Sequence, residues 1–93
     1  MQLYRGMSLS DLEQWIKEEI PIGTNFTTSR EEAINFARQY HQLPYAILSI
    51  PYDDIFFGLP FLTSNNRNSN FGDWYKTQKR ILFTEIDYNI EIF

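Results

Sequence analysis

Three stretches of this 93-residue chain carry side chains that can do chemistry. The first is Leu3-Tyr4-Arg5-Gly6. An arginine at the end of an inner strand presents a planar fork of donors that suits a phosphate. The plainer reading is a surface arginine with its stem packed on Tyr4. The second is Gly23-Thr24-Asn25-Phe26-Thr27-Thr28-Ser29, which runs directly into a helix. Its hydroxyls can bond a sugar or phosphate, and a helix start exposes free amides. Capping alone also accounts for Ser29. The third is Gln78-Lys79-Arg80-Ile81-Leu82-Phe83, a polar run entering an apolar one. By itself it reads as an edge strand guarded by charge. The remaining polar candidates say less. His41 sits where a helix C-terminus favours it. Glu18-Glu19 and Glu31-Glu32 read as solvated helix faces, and Asp53-Asp54 lacks a third ligand for a cation.

Composition narrows the possible chemistry. The chain has no cysteine and a single histidine, so thiolate metal sites, a Cys nucleophile and a Ser-His-Asp triad are excluded or hard to assemble. Acidic residues number 12 against 8 basic ones, giving a formal charge of -4. General nucleic-acid binding, which usually needs a basic patch, is not expected. No apolar run approaches the ~20 residues of a membrane-spanning helix, and Met1-Gln2-Leu3-Tyr4-Arg5 does not read as a signal peptide. The expectation is a soluble, cytoplasmic protein with one domain over residues 1–93. Aromatic residues make up 17% of the chain. At ~150–250 Å² buried per ring, they allow a small chain to build a core.

The elements that must position these residues follow from periodicity and punctuation. Gln2 to Arg5 reads as a short strand closed by Gly6. A helix follows at about Ser10–Glu19, with Leu9, Leu12, Ile16 and Ile20 on one face. Its cap is either Ser10, paired with Glu13, or Ser8, paired with Asp11. Phe26-Thr27 suggests a second strand. Ser29-Arg30-Glu31-Glu32 is a capping box for a helix at Arg30–His41, with Ala33, Phe36, Ala37 and Tyr40 as its apolar face. Tyr45–Ile50 is the clearest inner strand, stopped by Pro51. Residues 53–57 fit a short helical turn or an edge strand, and the Asn-rich stretch 63–72 a long loop. Arg80–Thr84 and Asn89–Phe93 read as two final strands. Helices early and strands late predict an α+β fold, a small mixed or antiparallel sheet with two packed helices.

Taken together, Tyr-Arg-Gly ending a strand, Gly-Thr-x-Phe-Thr-Thr-Ser after a helix, and Glu-Glu-Ala-x-x-Phe-Ala opening the next helix resemble the ADP-ribosyltransferase superfamily, in its Arg-Ser-Glu branch. The resemblance spans about Leu3 to Ile50 and, more weakly, Gln78 to Phe93. It implies a trimmed ADP-ribosyltransferase core that binds NAD. Arg5 takes the place of the arginine that contacts the NAD phosphate or ribose region. Thr27, Thr28 and Ser29 take the place of the Ser-Thr-Ser segment that shapes the nicotinamide pocket, with Thr for the first Ser. The family's Gln-x-Glu or Glu-x-Glu precedes a late aliphatic strand, and its last Glu stabilises the positive charge as nicotinamide leaves. Aligned on Arg80-Ile81-Leu82-Phe83, the first position falls at Gln78 and the catalytic Glu at Arg80, a departure from the pattern. Either the chain is a degenerate member, or its carboxylate comes from Glu85, Asp87 or elsewhere.

Two functions follow. One is an NAD-dependent transferase that moves ADP-ribose to a protein or nucleic-acid target. The other is a catalytically inactive relative that acts by binding a protein. The second suits a small acidic chain of the phage anti-defence inhibitor or toxin-system accessory type.

Overall fold

The computed structural model describes residues 1–63 and 71–93. Most of the Asn-rich stretch expected as a loop therefore lies outside the described residues. Strand β1 (Gln2–Ser8) leads through helix α1 (Leu9–Lys17) to β2 (Asn25–Thr27), and then through α2 (Arg30–Tyr40) to β3 (Tyr45–Pro51). The short strands β4 (Trp74–Lys76) and β5 (Asn89–Ile92) complete an antiparallel sheet in the order β4-β2-β1-β3-β5. This is the expected α+β architecture.

The register assigns every side chain to one of two faces. β1 pairs with β3 along its whole length, Leu3 opposite Ile50, Arg5 opposite Leu48 and Gly6 opposite Ile47. Because side chains alternate along a strand, Leu3, Arg5 and Met7 share one face with Ala46, Leu48 and Ile50. Phe26 and its partner Tyr75 continue that face. It carries the larger core cluster, packed with Leu12 of α1, Ile20, Phe57 and Ile81. The other face holds Tyr4, Gly6, Tyr45 and Ile47, covered by Ala33 and Ala37 of α2. Tyr45–Ile50 is buried throughout, as an inner strand covered on both faces should be.

Local sequence explains the helices. Ser8 is the cap that α1 uses, its hydroxyl accepting from the Asp11 amide at 3.2 Å. Ser29 caps α2 as expected and accepts from the Glu32 amide at 3.1 Å. α2 sits close to the sheet because β1 has Gly6 beneath it. A Cβ there would overlap the Ala33 carbonyl oxygen and stand 2.8 Å from Ala37 Cβ. The helix stripe that fits is accordingly Ala33 and Ala37. The larger Phe36 and Tyr40, expected on the apolar face, are turned outward and exposed. At the far end, the Arg30 guanidinium pairs with both carboxylate oxygens of Glu91, tying α2 to β5. That pairing holds the Glu91 carboxyl below its ordinary value.

Two expected elements differ. Arg80–Thr84 is not a strand. Ile81 alone is buried there, in a single bridge to Ile20, and Phe83–Glu85 forms one 3-10 turn. The in-out alternation of Ile81, exposed Leu82 and partly buried Phe83 is present, but among the described residues only the single Ile20 bridge pairs with the segment, and Phe83 packs edge-on to Tyr88. The place beside β2 is taken by β4, whose Trp74-Tyr75 pair is an aromatic strand signal. Residues 53–57 form the turn alternative, with the Phe56 and Phe57 amides donating to the Asp53 carbonyl and the Ile55 amide to its carboxylate.

Gly6→Ala is expected to lower stability in urea by at least about 2 kcal/mol, because the blocking atoms are backbone and cannot rotate away. Phe26→Ala should cost about 3–5 kcal/mol, whereas Phe36→Ala should cost only about 1 kcal/mol, the scale of a surface aromatic pair. Equal losses at the two phenylalanines would contradict this assignment of the core.

Candidate functional site

Arg5 and the Thr27–Ser29 segment leave the sheet on opposite sides. Arg5 is on the α1 face. Its Nη1 donates to the Asn25 carbonyl at 3.0 Å, and its guanidinium lies 5.2 Å from the centre of the Trp15 ring. Burial lowers its pKa, while nearby Asp11 works the other way. Its Nε is buried without a hydrogen-bond partner among the described residues. Thr27 lies opposite Tyr4, on the α2 face.

On that side the hydroxyls are already engaged. The Thr27 hydroxyl accepts from the Ser29 amide at 3.1 Å and donates to Glu32 Oε1 at 3.3 Å. Thr28 and Asp73 exchange two bonds, the Thr28 amide donating to the Asp73 carbonyl and the Asp73 amide to the Thr28 hydroxyl. Gly72 is pressed against this turn. A Cβ on it would stand 2.5 Å from Thr28 Oγ1 and 2.6 Å from Ser29 N. A phosphate or ribose placed on these hydroxyls would have to displace Gly72-Asp73.

The residues expected to supply chemistry from the late strand are elsewhere. Gln78 and Arg80 are exposed, and Arg80 Nη1 lies 3.5 Å from Glu19 Oε1. Glu85 is exposed in the 3-10 turn. Ile81, between them, packs into the cluster on the α1 face. The strand that does lie beside Thr27 is β4, and the residue ahead of it is Asp73. The alignment on Arg80-Ile81-Leu82-Phe83 therefore marks a segment that is neither a strand nor next to the Thr-Thr-Ser turn. Arg5 and Thr27 thus lie on opposite faces of the sheet, and Gln78, Arg80 and Glu85 are exposed.

What the α2 face assembles instead is a groove with a cavity volume of about 290 Å³, lined by Glu32, Asn35, Phe36, Gln39, Tyr40, Phe71 and Trp74. Phe36 is its centre. Its ring centroid is 4.7 Å from that of Tyr40 and 6.4 Å from that of Trp74, both tilted. Phe71 is exposed at the groove. Beneath the rings Glu32 Oε1 accepts from the Gly72 amide at 3.1 Å and from the Trp74 indole N–H at 2.9 Å, besides Thr27. One carboxylate oxygen thus joins α2, β2 and the start of β4. Small-molecule sites commonly run to ~300–1,000 Å³, so the groove is of a size for one side chain rather than a dinucleotide.

The sequence pattern alone does not mark this site: it reads Glu32 as a capping and solvated residue, and Phe36 as core. The available signal was Gly6. A glycine in an inner strand marks a close backbone approach, which selects the alanines of α2 and turns its aromatic residues outward.

No family model matches the chain, and no curated protein or solved structure matches it.

Glu32→Ala leaves three donors without their acceptor. The expected cost is about 2–3 kcal/mol, the scale for hydrogen bonds to a charged group, read by urea denaturation. The Trp74 indole proton should shift in NMR spectra while that of Trp15 stays in place. An unchanged Trp74 signal would show that the bond is not made in solution.

Proposed function

We propose that this protein acts by binding another protein, through the aromatic groove between α2 and β4, and that it does not transfer ADP-ribose. The observation that carries this reading is the groove itself. Phe36, Tyr40, Phe71 and Trp74 gather four aromatic side chains at the surface, three of them exposed at 36%, 62% and 42%. Aromatic residues are enriched in protein interfaces and at their hot spots. Leu62, 45% exposed, bridges to Trp74 and extends the apolar surface along β4. Contiguous exposed apolar surface of this kind marks interaction sites. The dispersal of Arg5, Arg80 and Glu85 supports the same reading from the side of catalysis.

One observation favours the other reading, an NAD-dependent transferase. Two carboxylate residues, Glu32 and Asp73, adjoin the Thr-Thr-Ser turn, and Asp73 directly precedes the strand beside it. The resemblance asks for a carboxylate in such a place. A transferase would then use Asp73 in place of the family's Glu, after Gly72 moves away from the hydroxyls.

The two are separated by one pair of measurements. A photo-crosslinking residue at Tyr40, in the cell that makes the protein, is expected to give a discrete protein adduct that is absent when it is placed at Glu13 on α1, and lost on Phe36→Ala. The purified chain incubated with labelled NAD should release no nicotinamide. Nicotinamide release that disappears with Asp73→Asn would establish the transferase and overturn the proposal.

A further inference from the structure

We infer that two copies of this chain pair edge to edge through β5, joining their sheets across a two-fold axis at Ile90. The two margins of the sheet are finished differently. At β4 the Phe61 amide donates to the Trp74 carbonyl and the Trp74 amide to the Leu62 carbonyl, so the outer side of that strand is covered. Leu62 and Gly72, on either side of residues 64–70, both lie at that margin. At the opposite margin, Tyr88–Ile92 interact with β3 through the ladder, with Arg30 through Glu91 and with Phe83 through Tyr88, and no described residue engages the outward backbone groups of β5. An open row of amides and carbonyls is a template for another strand, and edges are usually guarded by lysine, proline or a bulge. Asn89-Ile90-Glu91-Ile92 has neither lysine nor proline, and the charge of Glu91 is paired with Arg30.

Hydrogen-bond parity fixes which residues can meet a second strand. The Phe93 amide donates to the Tyr45 carbonyl at 2.9 Å, so Phe93, and by alternation Glu91 and Asn89, turn their backbone groups toward β3. Ile90 and Ile92 turn theirs outward. Opposite Leu48 and Ala46, both send their side chains to the α1 face. Tyr88 follows them there, since it packs on Phe83 of that cluster. Two antiparallel two-fold registers use the middle of the strand. Centred on Glu91, the pairing sets two carboxylates directly opposite each other, which is destabilising. Centred on Ile90, it sets Ile90 against its own copy, Glu91 against the Asn89 amide, and Ile92 against Tyr88. Ile92 is 63% exposed and Tyr88 47%. An aromatic residue opposite a β-branched one is a favourable cross-strand pair. The segment is therefore complementary to itself when reversed, which is what a two-fold contact demands of one surface patch. That self-match selects a second copy over an unrelated strand.

An edge of four residues is short beside the about 1,200–2,000 Å² of a stable complex, so the dimer is a weak one. Sedimentation of the full chain between about 10 μM and about 1 mM should pass from monomer to dimer. Amide exchange followed by NMR supplies the readout of register. On going from dilute to concentrated protein, the Ile90 and Ile92 amides should gain protection, while those of Glu91 and Phe93, already turned to β3, should stay as they were. Ile92→Lys, at an exposed position, sets a charge against Tyr88 in each half of the interface and should weaken the dimer at least about tenfold. Leu59→Lys, which adds the same charge at a position 90% exposed, should leave it intact. A chain still monomeric at about 1 mM overturns the inference. So does a dimer that Ile92→Lys weakens no more than Leu59→Lys does, or one in which the Ile90 and Ile92 amides exchange as they do in the monomer. The groove lies toward the other margin of the sheet, so these outcomes leave the protein-binding reading to its own test.

Discussion

The close approach of α2 to β1 at Gly6 is the constraint from which the rest of the molecule follows. Only a residue without a Cβ leaves room for the Ala33 carbonyl and the Ala37 methyl at that distance. With the alanine stripe forced inward, the helix's rotation about its axis is fixed. Phe36 and Tyr40 then emerge on the side facing Trp74, and Glu32 emerges over β2. One absent methyl group thus determines which residues of α2 form core and which form surface. A helix with larger residues at positions 33 and 37 would have to lift away from the sheet, and its aromatic residues would meet a different neighbour.

Glu32 is the second organising point. It belongs to the first turn of α2, where a carboxylate is favoured by the helix dipole. Three donors from two separate parts of the chain, β2 and the approach to β4, converge on one of its oxygens. Such a group is expensive to leave unsatisfied and strengthens when water is kept away. It converts the Thr27–Ser29 turn, which by composition resembles a ligand-binding loop, into an internal joint. Of the hydroxyls that attract attention in the sequence, that of Thr28 accepts from the Asp73 amide, that of Thr27 donates to Glu32, and that of Ser29 caps α2.

The architecture was legible where pattern and punctuation agreed. Tyr45–Ile50 is apolar in successive positions and bounded by prolines, so an inner strand was the natural reading. Ser29 with Glu32 three residues later gave the start of α2. Arg80–Thr84 misled because an apolar run after a polar one looks like a strand whether or not a neighbour exists to pair with it. The place beside β2 was taken by Trp74–Lys76, and strand pairing across that separation cannot be seen in local periodicity. The candidate site was less legible for a related reason. Its residues come from α2 and from the approach to β4. Phe36 has the helical spacing of a core residue, and only the glycine on a different element shows that it faces outward.

The two walls of the groove have different standing in the fold. α2 lies across the centre of the sheet, whereas the segment carrying Phe71 and Trp74 lies toward the sheet's margin, joined among the described residues by the pairing of β4 with β2, by the bonds of Trp74 with Phe61 and Leu62, and by the bonds to Glu32 and Thr28. Segments at the margin of a sheet open with smaller free energies than the whole domain. Anything that bridges both walls binds only the closed form and so adds its own binding free energy to the seating of that margin. Occupancy of the groove and order at the edge of the sheet are therefore linked quantities. Amide exchange at residues 72–76 would register a ligand that touches none of those amides.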